Sequence, residues 1–218
     1  MGLPARARLS RHVGDERGFT LVELLVTMVI LLIVIASLAS VLVAATRTQV
    51  DANNRFQAQE QARTGLAYLT RELHCASSVT QTSGSALVPG TNYNAISATL
   101  PSTCSTAGGV ALFVTWCTLQ STLNTTDWAL YRVTSTSSLP TCASSGKVER
   151  VDYLQTSTPF CLPSTTVACS PPTPGVLRPS GSLPMLHVVM PVNVNGATST
   201  IESYDVIDDI ALRNGTHS

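Results

Sequence analysis

The sequence lacks most of the marks by which an enzyme is recognised. There is no Gly-rich phosphate loop, no Gly-x-Ser-x-Gly elbow and no His-Glu-x-x-His pair, so the common nucleotide, acyl-transfer and zinc-protease chemistries have no motif to rest on. No Cys-x-x-Cys occurs, and the four histidines, His12, His74, His187 and His217, are scattered. Metal-ligand spacing is therefore missing too. Residues 76–218 hold only five basic side chains, Arg132, Lys147, Arg150, Arg178 and Arg213. A protein that grips nucleic acid by its phosphates needs a basic patch, so direct nucleic-acid binding is not expected. No enzyme and no cofactor are implied.

Charge, proline and glycine are all missing from residues 24–46, a run of Leu, Val, Ile and Ala. At about 1.5 Å per residue, a helix of this length spans roughly 34 Å, a little more than a hydrocarbon core of about 30 Å. A secretory signal peptide would carry only about 7–15 apolar residues before a small-residue cleavage site. Ser37-Leu38-Ala39 is the stretch that such a reading would use. The flanks set the orientation. Residues 1–18 carry Arg6, Arg8, Arg11 and Arg17 against Asp15 and Glu16, and positive charge beside an apolar span stays in the cytoplasm, giving N-terminus in and C-terminus out.

One residue is out of place. Glu23 opens the apolar segment, and no Lys or Arg follows within twenty residues. A carboxylate near hydrocarbon costs about 2.5–3.5 kcal/mol and usually marks function through a partner. Cleavage between Gly18 and Phe19 would supply one, a new α-amino group at the head of the same helix. On a neighbouring helix staggered by about a turn, that ammonium could meet this carboxylate and set the register between subunits. The alternative is a glutamate at the headgroup edge, favoured by the positive end of the helix dipole.

Gly18-Phe19-Thr20-Leu21-Val22-Glu23-Leu24-Leu25-Val26, behind a basic leader and ahead of about twenty apolar residues, resembles the cleavage and methylation motif of type IV prepilins and type II secretion pseudopilins. The resemblance implies cleavage after Gly18 and N-methylation of Phe19 by prepilin peptidase. It also implies pairing of Glu23 with a neighbour's Phe19 amine. On this reading residues 1–18 are a leader, 19–46 the transmembrane and assembly helix, 47–77 its amphipathic half and 78–218 the exported head. The implied partners are prepilin peptidase, other minor and major pilins or pseudopilins, and the inner-membrane assembly platform. The chain would be a structural subunit, a minor pilin or pseudopilin in or at the tip of a pilus-like filament. A single-pass anchored extracellular binding domain that never polymerises is the alternative.

No proline interrupts residues 46–76, and Ala62, Leu66, Leu69 and Leu73 recur at the spacing of one buried helical stripe. Arg47, Asp51 and Arg55 stand four apart, as surface pairs do. One helix from about Phe19 to about Cys75 is expected, with Gly65 its weak point at about 1 kcal/mol against alanine. Leu66-Ala67-Tyr68-Leu69-Thr70-Arg71-Glu72-Leu73 and Ile210-Ala211-Leu212-Arg213-Asn214 resemble the segment before the head and the last strand of W-type minor pilins and J-type minor pseudopilins.

After Ser77 the composition turns to Ser, Thr, Gly and Pro. Runs at 110–119, 128–134, 147–155, 185–194 and 198–212 have strand composition. Asn195-Gly196 reads as a two-residue turn joining the last two. Segments 78–109 and 156–184 read as long loops. The fold class expected is α+β, a long N-terminal helix, transmembrane in one half and amphipathic in the other, packed on an antiparallel β-sheet head with long disulfide-stapled loops. All six cysteines, Cys75, Cys104, Cys117, Cys142, Cys161 and Cys169, follow the apolar span, which on the exported side reads as disulfides. Sequential pairing, 75–104, 117–142 and 161–169, closes the shortest loops. Asp205, Asp208 and Asp209 are the one carboxylate cluster that calcium could use, though the loop of a calcium motif is missing. Removing residues 1–18 takes away four of 13 basic and two of 13 acidic side chains and leaves a net charge of −2.

Overall fold

A computed structural model of the chain describes residues 18, 20–104, 110–122, 125–169, 183–194 and 204–213. The chain divides into two compact units, Met1–Val50 and Asp51–Ser218. One helix, α1 (Leu21–Cys75), runs through the boundary between them.

In the first unit every described residue is exposed, including the whole apolar run. The run's hydroxyls do not need water. Thr27, Ser37, Ser40 and Thr46 each donate to the carbonyl three residues earlier, at 2.9, 2.8, 2.7 and 2.9 Å. A helix whose backbone and side-chain polar groups are satisfied internally is the kind that hydrocarbon accepts. Among the described residues α1 is the one helix long and apolar enough to cross a membrane.

In the second unit α1 buries Ala58, Ala62, Gly65, Leu69, Glu72 and Leu73. The stripe thus has the expected period, but Leu66 is only partly buried and Gly65 lies in the contact. A Cβ on Gly65 would overlap Val151 Cγ2 and approach the Arg150 carbonyl to 3.4 Å. The glycine that weakens the helix in isolation lets it reach the sheet. On the solvent side Arg55 pairs with Asp51 at 2.6 Å.

The sheet is antiparallel and nine-stranded: β1 (Ser78–Thr80), β2 (Asn92–Tyr93), β3 (Ala95–Leu100), β4 (Leu112–Gln120), β5 (Trp128–Ser135), β6 (Val148–Leu154), β7 (Phe160–Cys161), β8 (Met185–Val192) and β9 (Tyr204–Ala211). The order is β1-β3-β4-β5-β6-β8-β7-β2, with β9 also paired to β8. β9 takes one edge of β8 along its whole length. The other edge is shared by the end of β6 and by β7. Between these two ladders Pro191, with no N–H to give, accepts from the Gln155 N–H through its carbonyl at 2.8 Å.

Two expectations fail here. Segment 78–109 is not a loop, because β3 pairs residue for residue with β4 from Ala95↔Cys117 to Leu100↔Leu112. Its small Ala, Ser and Thr residues are buried on both faces, so no alternation betrays the strand. Segment 156–184 likewise contains β7. The β8–β9 hairpin exists, but its register pairs Val192 with Tyr204. A two-residue turn at Asn195-Gly196 would pair Val192 with Ser199, so the observed register is not that of a two-residue loop there. Asn195 and Gly196 themselves lie outside the described residues.

Alternate residues of the strands face α1 or turn away from it, except in β6, where the irregular pairing with β5 and the positive φ of Tyr153 bring both Val151 and Leu154 to the helix side. Val114, Trp116, Leu130, Val151, Leu154, Leu186, Val188, Met190 and Ile210 join Ala58, Ala62, Leu69 and Leu73 in the main core. The other face carries a smaller cluster of Ala95, Cys117, Ala129, Tyr131 and Val133. It is tied to the segment after β5 by Cys117–Cys142 and by the Thr115 hydroxyl, which donates to the Pro140 carbonyl at 2.6 Å.

Candidate functional site

The chemistry expected at the N-terminal end begins at Gly18. It is exposed, and a Cβ built on it meets nothing within 4 Å. Nothing among the described residues demands glycine at this position. Phe19, the residue expected to become the methylated N-terminus, lies outside the described residues. Thr20 precedes the first helical residue and caps it. Its Oγ1 accepts the Glu23 N–H at 3.3 Å, while Glu23 Oε2 accepts the Thr20 N–H at 3.4 Å and the Thr20 hydroxyl at 3.3 Å. This is a capping box, two orphan donors of the first turn satisfied reciprocally. The T-x-x-E spacing that encodes it lies within the cleavage motif itself. The exposed carboxylate therefore has a local role at the helix start, and its second oxygen is not engaged by the cap.

A second acidic residue on α1 escaped sequence reading. Glu72 is buried between Leu69 and Leu73, and its Oε2 accepts the Trp116 indole N–H at 2.8 Å. Its Oε1 accepts from Arg132 Nε at 2.8 Å and from Arg132 Nη2. Trp116 and Arg132 face each other across β4 and β5, so one carboxylate fastens the helix to two strands. The signal was available, since position 72 falls inside the buried stripe and Arg132 is one of few cations in the head.

The six cysteines are joined as Cys75–Cys104, Cys117–Cys142 and Cys161–Cys169, with Cα separations of 6.2, 6.2 and 6.0 Å. The three aspartates of β9 do not converge. Strand alternation puts Asp208 on the helix side, where it accepts the Thr70 hydroxyl at 3.0 Å, and Asp205 and Asp209 on the other. Asp209 Oδ1 lies 2.5 Å from Nδ1 of buried His187. Among the described residues no three His, Cys, Asp or Glu side chains are placed to hold a metal. On the far face the Tyr131 phenol donates to Glu149 at 2.9 Å. Burial first, then this bond, pushes the phenol up to about 12.

Residues 14–39 match the family model for the prokaryotic N-terminal methylation motif, which is type IV prepilin-like. The match takes in Gly18, Phe19, Glu23 and the first part of α1. It makes the N-terminal end pilin-like, and prepilin peptidase is the enzyme to which such a motif is addressed. No curated protein and no solved structure matches the chain.

Proposed function

We propose that the chain is a minor pilin or pseudopilin, a structural subunit whose leader, residues 1–18, is removed after Gly18 and whose new N-terminus, Phe19, is methylated. The observation that carries this reading is the joining of three features in one helix. The cleavage and methylation motif leads into a fully exposed apolar run, which continues without a break into the helix that supports a disulfide-bonded sheet. Residues 19–46 then serve membrane insertion and filament packing, residues 47–77 support the head, and residues 78–218 form it. The subunit enters the cytoplasmic membrane with its N-terminus in, and is assembled in or at the tip of a pilus-like filament. Its likeness at residues 66–73 and 210–214 to W-type minor pilins and J-type minor pseudopilins supports the minor role. Its partners are prepilin peptidase, sibling pilins and the inner-membrane assembly platform. Its role is structural.

A specific observation favours a second reading, an anchored extracellular domain that does not polymerise. The capping box gives the Glu23 carboxylate hydrogen bonds without any neighbour. N-terminal mass spectrometry separates the stages. A chain beginning at N-methyl-Phe19 supports the pilin reading, and a mature chain that starts near Ser40 or retains Met1 overturns it.

A further inference from the structure

His187 is only 1% exposed, yet one of its two ring nitrogens is left unused. Nδ1 lies 2.5 Å from Asp209 Oδ1, while the buried Nε2 has no hydrogen-bond partner among the described residues. An orphaned polar atom inside a folded head is uncommon and calls for a reason. The sheet register supplies one. His187 stands opposite Asp209 on β9 and opposite Cys161 on β7. The three side chains therefore form one row across adjacent strands, on the face turned away from α1. Directly opposite side chains have Cβ atoms about 5 Å apart. With Nδ1 directed at β9, Nε2 is turned from it, and Cys161 is the member of the row on that other side.

Cys161 is bonded to Cys169, eight residues on, whereas the other two bridges span 29 and 25 residues. Loop closure alone makes the shortest ring about six times easier to reduce than either of the others. The row adds a second effect with the same sign. An imidazolium beside a sulfur stabilises its thiolate, and a carboxylate on the far nitrogen stabilises the imidazolium. His74 precedes Cys75 in the chain, but consecutive helix residues do not face each other.

We propose that Cys161–Cys169 is a thiol-exchange site, the bridge of the head that an external dithiol reduces in preference to the other two. One thiolate of the dithiol attacks Cys169 Sγ, and the bond to Cys161 breaks with its electron pair left on Cys161 Sγ. The second thiolate of the dithiol then attacks the mixed disulfide and releases Cys169. The dithiol leaves as a disulfide. Of its two protons, one rests on His187 Nε2 beside the Cys161 thiolate and the other on Cys169. Cys161 and Cys169 are both buried, so attack waits for the exposed turn Thr165-Thr166-Val167 to lift from Gly90, against which Val167 packs. Burial sets how fast the bridge opens; the row acts on the equilibrium. The inference does not depend on the filament reading.

The test equilibrates the full chain, extracted from its own membrane in detergent, with graded ratios of reduced to oxidised dithiothreitol. Thiols are trapped by alkylation and mapped by mass spectrometry. Cys161 and Cys169 should become labelled together, at a ratio at least tenfold less reducing than the other four cysteines require. His187→Gln should move this midpoint about tenfold towards more reducing ratios, about 30 mV for a two-electron couple, and leave the other two bridges in place. Asp209→Asn, on an exposed side chain, should move it the same way by a smaller step, and decides the matter if His187→Gln does not fold. Earlier opening of Cys75–Cys104 or Cys117–Cys142 overturns the proposal. So does a Cys161–Cys169 midpoint that ignores the substitutions, since ring size alone would then explain the order.

Discussion

Glu72 and Trp116, separated by most of the head's first four strands, meet at 2.8 Å with the carboxylate accepting the indole N–H. The same carboxylate neutralises Arg132. Removing one partner of a buried pair leaves the other charge uncompensated, so Glu72→Ala should destabilise the head by about 3 kcal/mol. Arg132→Ala should do much the same, and the double variant should fall well short of the sum. Chemical denaturation followed by tryptophan fluorescence measures all three. Additive losses would show that helix and strands are not coupled through this carboxylate.

Glu23 can be divided into two roles by its variants. Glu23→Gln keeps an oxygen for the capping box but loses the charge. If pairing with a neighbour's Phe19 ammonium drives incorporation, then Glu23→Gln and Glu23→Ala should both leave cleavage and the head intact and both weaken crosslinking to sibling pilins. The attraction at stake is roughly 4 kcal/mol at 4 Å and an effective dielectric near 20. Normal incorporation of Glu23→Gln with failure of Glu23→Ala would assign the residue to the cap alone.

Gly65→Ala tests the close approach of helix and sheet. Helix propensity alone predicts a gain of about 1 kcal/mol. The overlap with Val151 predicts a loss of about 1–3 kcal/mol from overpacking. A net loss is expected in thermal unfolding, with recovery of part of it when Val151→Ala is added. A simple gain would mean that the sheet yields at this point.

Tyr131 links stability to alkaline pH. Its phenol is raised from 10.0 to about 12, by burial first and the bond to Glu149 next. A group raised in the folded state contributes stability that is fully present below its unfolded pKa of about 10 and is lost as pH rises through the folded value. Tyrosinate absorbance should show a late step near pH 12, and Tyr131→Phe should remove that step and flatten the loss of stability above about pH 10. A late step that persists in Tyr131→Phe contradicts the assignment.

The helix was legible because its signals are local. No proline interrupts it, and its apolar stripe has period 3.6. The candidate site at Gly18, Phe19 and Glu23 was legible for the same reason, as a contiguous motif. β3 was not, because strands buried on both faces with Ala, Ser and Thr show neither alternation nor bulk. The role of Glu72 depends on partners 44 and 60 residues away, so its place in the buried stripe hints at a buried pair without naming Trp116 or Arg132. The Asn195-Gly196 dipeptide suggested a two-residue hairpin loop, whereas the β8–β9 register, Val192 with Tyr204, is not the one such a loop would set.

Cys75 is the last residue of α1, and its bridge to Cys104 spans 29 residues that include β1 and β3. Under tension along the helix, force would pass through the two sulfurs and leave this ring slack. About 100 Å of extensible contour is removed from the loaded path at a stroke. The Cys117–Cys142 bridge does the same around β5. A pull on the helix thus meets a chain shorter than its sequence, in which β1, β3 and β5 carry no load until a disulfide is reduced.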